Sequence, residues 1–105
     1  MRRSVGEWLK RDWSFDGIFA ASVGTAISVI GALEERKLVV PAQVKVVGYS
    51  DIALAEHVHR SLSSIRQPAI DGGKALVSLL LEAVAHNPKR TVLLPAQLIA
   101  RESSQ

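Results

Sequence analysis

The 105-residue sequence has no cysteine, one tyrosine and only 5% aromatic residues. Without sulfur, neither a disulfide framework nor a cysteine-ligated metal site can be built. Glycine and proline are few (7 and 4 residues) and 22% of residues are charged, the composition of an ordinary globular protein, so disorder as a default is excluded. No sign of charge dominates: 13 Lys+Arg stand against 10 Asp+Glu. The basic residues are scattered, which leaves no electrostatic footprint for nucleic acid. One long uncharged run exists, over residues 17–33. It touches the lower bound of about 17–25 residues for a membrane span. Ser22, Gly24, Thr25, Ser28 and Gly31 interrupt it, however, and it divides into a β-like start and a helix-like remainder from Val23. A buried segment is the better reading than a membrane span. As a secretory signal the run fits worse still, because Glu7, Asp12 and Asp16 precede it beside the basic residues and no convincing small-residue cleavage site follows.

What is present is periodic apolar patterning, with 48% hydrophobic residues. Val5, Trp8 and Leu9 have helical spacing within residues 2–11. Ser14 to Gly17 is turn chemistry leading into an apolar strand over 17–20. Val23, Ala26, Ile27, Ile30 and Leu33 follow helical period, and the charged run 34–37 closes that helix, with Val40-Pro41 as the latest possible stop. Residues 44–48 carry the strongest strand signal. A short helix is expected over 51–59, capped by Ser50 or Asp51. A third strand is expected over 62–66, ended by Pro68. Val77, Leu80, Leu81 and Val84 mark a helix over 71–85, which Asn87-Pro88 ends. Two strand pieces, 91–94 and 97–100, are separated by Pro95.

Helices and strands thus alternate, and that order predicts an α/β domain with a mainly parallel sheet flanked by helices. Right-handed crossovers place the strands near 17–20 and 44–48 side by side, ending at one sheet edge. Ligands of open α/β sheets sit outside the carboxyl ends of strands. Position alone therefore nominates Ser22, Tyr49, Ser50 and Asp51.

Catalytic patterns are missing. His57 and His59 are two residues apart, whereas a helical metal pair needs about four, so they read as exposed polar residues. His86 suits a helix C-terminus. Gly72-Gly73 lacks a phosphate-binding pattern and reads as a close-packing spot at a helix start. Trp8 and Trp13 read as local packing, since no basic groove surrounds them. Ser22 and Ser50 have no base at a recognisable spacing and read as hydrogen-bonding groups. Neither a metal site, a cofactor motif nor an enzyme is indicated.

The ordered set Phe15-Asp16-Gly17-Ile18-Phe19-Ala20-Ala21-Ser22, Gly31-Ala32-Leu33, Val40-Pro41 and Val46-Val47-Gly48-Tyr49-Ser50-Asp51-Ile52 resembles the lactose-repressor (LacI/GalR) family of bacterial transcription regulators. Leu62-Ser63-Ser64-Ile65-Arg66-Gln67-Pro68, Gly73, Leu79-Leu80-Leu81, Leu93-Leu94-Pro95 and Ala100-Arg101-Glu102-Ser103 extend the resemblance to nearly the whole chain. Any one piece is weak; the order is specific.

The resemblance implies part of the effector-sensing region, a partial periplasmic-binding-protein-like fold whose two α/β lobes enclose a ligand cleft. Residues 1–62 and 96–105 would belong to the C-terminal lobe and 63–95 to the N-terminal lobe. The family's helix-turn-helix, hinge helix and first half of the sensor have no counterpart here. Met1 falls within a family helix, as in a truncated reading frame or an expressed fragment. Ser22, Ser50 and Gln67 match ligand-contacting positions, with Tyr49 and Asp51 beside them. Val23 and Ser50 stand where the family usually has acidic residues, and a serine accepts hydrogen bonds more weakly than a carboxylate. The implied partners are a sugar or related small effector and a second copy of the chain. DNA would be contacted only by absent segments, and the implied location is cytoplasmic. A fragment of a periplasmic sugar-binding transport protein is the alternative; Val40-Pro41 and Ile65 to Pro68 favour the regulator.

Overall fold

The computed structural model of the chain describes residues 2–11, 14–86 and 90–105. The readings made at Met1, Trp13 and Asn87-Pro88 lie outside the described residues. The elements are α1 (Arg2–Trp8), β1 (Gly17–Phe19), α2 (Val23–Glu35), β2 (Lys45–Tyr49), α3 (Leu54–His57), β3 (Ser63–Arg66), α4 (Ala69–His86) and β4 (Gln97–Ile99). The four strands form one sheet in the order β1-β2-β3-β4. β1 and β2 pair in parallel with Phe19 opposite Val47, and β2 and β3 in parallel with Tyr49 opposite Ile65. The expected α/β architecture is present, and β1, β2 and β3 end at a common carboxyl edge.

The chain forms two units, one from residues 1–66 and 98–105, the other from 67–97. In the first unit, α2 packs against both α1 and β2. That double contact explains why its buried face includes Val29 and Ala32 as well as Val23, Ala26, Ile30 and Leu33. The sequence period describes a single stripe, and α2 is covered on more than one side. Leu33, Val40, Val44, Val46 and Leu62 are fully buried and form the centre of the core. Trp8 packs locally, as read, stacked on Phe15 with ring centroids 4.8 Å apart. Gly48 lets β2 pass close beneath α2. A Cβ there would lie 3.1 Å from Leu62 Cδ2 and 3.4 Å from Ala26 Cβ.

The second unit is dominated by α4, none of whose described side chains is buried. Arg90 folds back on this helix and donates two 2.7 Å hydrogen bonds to Glu82.

α2 stops at Glu35, inside the charged run expected to close it, where Lys37 adopts a left-handed conformation (φ 61°) and the amides of Lys37 and Leu38 bond back to the carbonyls of Glu34 and Leu33. That is a Schellman ending, built without the usual glycine. Three local expectations need correction. α3 is only four residues long, and its N-cap is Ala53 with no side-chain bond, so neither Ser50 nor Asp51 caps it. Residues 91–94 are not a strand; only Gln97–Ile99 after Pro95 joins the sheet. Gly73 is not a close-packing spot, for a Cβ there would meet nothing within 4 Å.

Candidate functional site

Ser22 follows β1 and Tyr49-Ser50-Asp51 ends and follows β2, so parallel pairing brings these segments out at the same edge of the first unit. Ser22 caps α2: its Oγ accepts from the Thr25 amide at 3.1 Å and donates to Thr25 Oγ1 at 2.9 Å. The cap leaves the hydroxyl exposed at the start of the helix. Ser50 is exposed too and holds φ at 65°, a left-handed conformation that turns the chain sharply away from β2. Tyr49 is half-buried. Its ring meets Phe19 edge-on, with centroids 6.3 Å apart and planes at 79°. Phe19 is 64% exposed although it belongs to a strand, so this edge presents an aromatic face beside two hydroxyls.

Asp51 differs from these neighbours. Its side chain is only 3% exposed, and both carboxylate oxygens accept from arginines. Arg101 Nη1 donates to Oδ1 at 2.7 Å and its Nη2 to Oδ2 at 3.3 Å. Arg66 donates to Oδ2 from Nε at 2.9 Å and from Nη2 at 2.7 Å. Arg101 also donates to the Leu62 carbonyl at 2.7 Å and reaches Glu56 at 3.4 Å. The Arg101 hydrogen bonds hold the Asp51 carboxyl below the usual carboxylate value, against burial that pushes it up, and Arg66 adds to the lowering. The same bonds to Asp51 raise the Arg101 guanidinium. Asp51 thus meets the arginines as a charged group committed to an internal network.

Gln67, the remaining nominated residue, opens the second unit and is exposed. His57 and His59 are exposed, and no group of three or more His, Asp or Glu among the described residues is placed to hold a metal ion. No helix among the described residues is long and apolar enough to cross a membrane. Three contributors escaped the sequence reading: Phe19, Arg66 and Arg101. An aromatic at the carboxyl end of a strand was an available signal for Phe19. The arginines gave none, because ion partners 15 and 50 residues from Asp51 leave no trace in local spacing.

A family model described as a periplasmic-binding-protein-like domain matches residues 2–104. The chain is 39% identical over 70 residues to the sucrose operon repressor of Pediococcus pentosaceus, covering 67% of this chain and 22% of that protein. It is 33% identical over 91 residues to the lactose operon repressor of Rhizobium radiobacter, covering 86% of this chain and 80% of that one. Among solved structures, the complex of transcriptional regulator CelR with cellobiose superposes with a TM-score of 0.84 at 30% identity, covering 98% of this chain and 32% of that one. The chain spans about a quarter of the length of curated relatives such as the sucrose operon repressors, at 22% and 28%. The parallel sheet, its carboxyl edge and these likenesses agree, and the chain belongs to the periplasmic-binding-protein-like domains of LacI-family transcription regulators.

Proposed function

We propose that this chain is the part of a LacI-type regulator that senses a sugar or related polyhydroxy effector and pairs with a second copy of itself. Its ligand edge in the first unit is formed by Ser22, Tyr49 and Ser50; Gln67, the first residue of the second unit, is a further proposed contact taken by itself. The observation that carries this reading is the joint exposure of two hydroxyls and the Phe19 ring at the carboxyl ends of adjacent parallel strands. Sugars present hydroxyls at the ring rim and C–H faces between them, so donors, acceptors and an aromatic face suit both. Asp51 serves the edge indirectly, since its carboxylate is taken up by arginines. In this reading residues 1–66 and 98–105 correspond to the C-terminal lobe and 67–97 to part of the other. The chain acts in the cytoplasm, and DNA is contacted by other parts of such regulators.

The cellobiose complex of CelR supports a saccharide as the ligand class. Pairing is supported by α4, where Ile70, Val77, Leu80, Leu81 and Val84 are 58–79% exposed along one helix. An uncovered apolar stripe of that kind marks an interaction surface. The effector reading is tested by titrating the chain with cellobiose, sucrose, lactose and ribose while following backbone amide resonances. One sheet edge encloses a sugar on one side only, so affinity in the millimolar range is expected. At least one sugar should shift Ser22, Tyr49 and Ser50 selectively. Silence of all three with every sugar overturns the assignment.

A further inference from the structure

Both passages of the chain, out of and back into the first unit, are tied to one carboxylate, that of Asp51. The chain leaves that unit after Arg66 at the end of β3 and returns at Leu98, with Arg101 two residues after β4. Both guanidinium groups end on Asp51. The Asp51 amide adds a third tie, donating to the Ile65 carbonyl at 3.1 Å. Two of the proposed ligand residues are immediate chain neighbours of this network: Ser50 precedes Asp51, and Gln67 follows Arg66. Arg101 is the nearly buried partner, with 11% of its side chain exposed, while Arg66 is half exposed.

We propose that Asp51 is a positioning residue: its carboxylate clamps the outgoing strand β3 through Arg66 and the returning segment just after β4 through Arg101, and so sets the backbone at Ser50 and at the entry to Gln67. The inference rests on the effector reading only for the purpose of the clamp; the clamp itself is testable without a ligand. Arg101 meets both carboxylate oxygens, a bidentate contact that fixes direction as well as distance, while Arg66 meets Oδ2 through two of its nitrogens. The groups facing the carboxylate are Arg66 from β3, Arg101 beyond β4 and, through Arg101, Glu56 of α3.

The test is amide hydrogen exchange on the 105-residue chain and three variants, read residue by residue. Asp51→Asn should accelerate exchange at least tenfold both in β3 and around Arg101, whose amide bonds to Ser63 Oγ. Arg66→Met should loosen β3 alone, and Arg101→Met chiefly the returning segment. Amides remote from the clamp, Ala20 in its bond to Val47 and Ala26 in its bond to Ser22, should keep their protection. Wild-type protection in the two strands, corrected for intrinsic exchange, should fall as Asp51 is protonated by acid, while Asp51→Asn shows no such step. Uniform acceleration throughout the first unit, or unchanged protection in both strands, overturns the clamp. If Asp51→Asn does not fold, Arg66→Met decides, with β3-restricted loosening supporting the clamp and unchanged β3 protection overturning it. Sugar binding plays no part in these readouts, so failure of the effector assignment is seen separately.

Discussion

Ser103 and Val46 exchange two hydrogen bonds: the Val46 amide donates to the Ser103 carbonyl at 2.8 Å, and Ser103 Oγ donates to the Val46 carbonyl at 2.6 Å. The same hydroxyl accepts from the Ser63 amide at 2.8 Å, so one buried serine near the end of the chain binds β2 and β3 together. Ser63 reciprocates, its Oγ accepting from the Arg101 amide at 2.7 Å. Removing the Ser103 hydroxyl leaves a carbonyl and an amide buried without partners, at about 1–3 kcal/mol for each orphaned group. Ser103→Ala should therefore lower the urea midpoint clearly. Ser64 is also fully buried, but its Oγ has no hydrogen-bond partner. Ser64→Ala should be neutral or slightly stabilising, and equal losses in the two variants would contradict this account.

Lys37 offers a gain. A non-glycine residue held left-handed costs about 1–2 kcal/mol, partly offset in the glycine variant by greater unfolded-state freedom. Lys37→Gly keeps the Schellman bonds and should stabilise the chain by about 0.5–1 kcal/mol, seen as a higher midpoint at unchanged slope. A lower midpoint would mean that the lysine side chain contributes more than its backbone strain costs.

Those two cases mark what the sequence could disclose. β1, β2 and α2 were legible because apolar period reports burial directly, and parallel neighbours follow from strand–helix–strand order. The stop of α2 at the charged run 34–37 was legible as well, but its left-handed form was not, since the usual signal is a glycine and the chain has Lys37. The short α3 was overextended because Ser50 and Asp51 look like caps, while the structure uses Ser50 as a left-handed turn and Asp51 as an anion for arginines. Residues 91–94 carry strand propensity but form no ladder. At the candidate site, the Ser22 cap and the exit of Tyr49-Ser50 follow from position. The Asp51 network joins β2, β3 and the chain end, and only the folded topology brings those together.

Gly48 should tolerate little. Its added Cβ meets the mobile end of Leu62 first but has Ala26 Cβ at 3.4 Å and the Val23 backbone at 3.6 Å on the other side. Overpacking of this kind costs about 1–3 kcal/mol. Gly48→Val should fall within or above that range, and Gly48→Ala near its lower end. Chemical denaturation orders them; an unaffected Gly48→Val would show that β2 and α2 separate freely.

Self-association should depend on α4. At micromolar concentration, sedimentation velocity should find the wild-type chain larger than a monomer, and Leu80→Glu should shift it toward monomer, because a charge on the stripe must be desolvated at the contact. The core of the first unit lies elsewhere, so its unfolding midpoint should not move. A monomeric wild-type chain indifferent to Leu80→Glu would remove α4 from the pairing proposal.

The pH dependence follows from Asp51. Its folded-state carboxyl titrates below the unfolded value of about 3.9, so the folded protein binds fewer protons at acid pH. The stability it contributes is complete above that unfolded value and is lost as pH falls through the lower folded one. Asp51→Asn should lack this part of the acid limb. At neutral pH the variant leaves the nearly buried Arg101 without its main anion, a change costing up to about 3–5 kcal/mol. The half-exposed Arg66 and the remaining contact with Glu56 reduce that figure, since solvent screens the first and the second still offers a carboxylate. Urea midpoints of both proteins should therefore differ most near neutrality and converge below about pH 4, where wild type loses the same interaction. A gap that stays constant down to pH 2 would mean that the carboxylate charge is not what stabilises the wild-type chain.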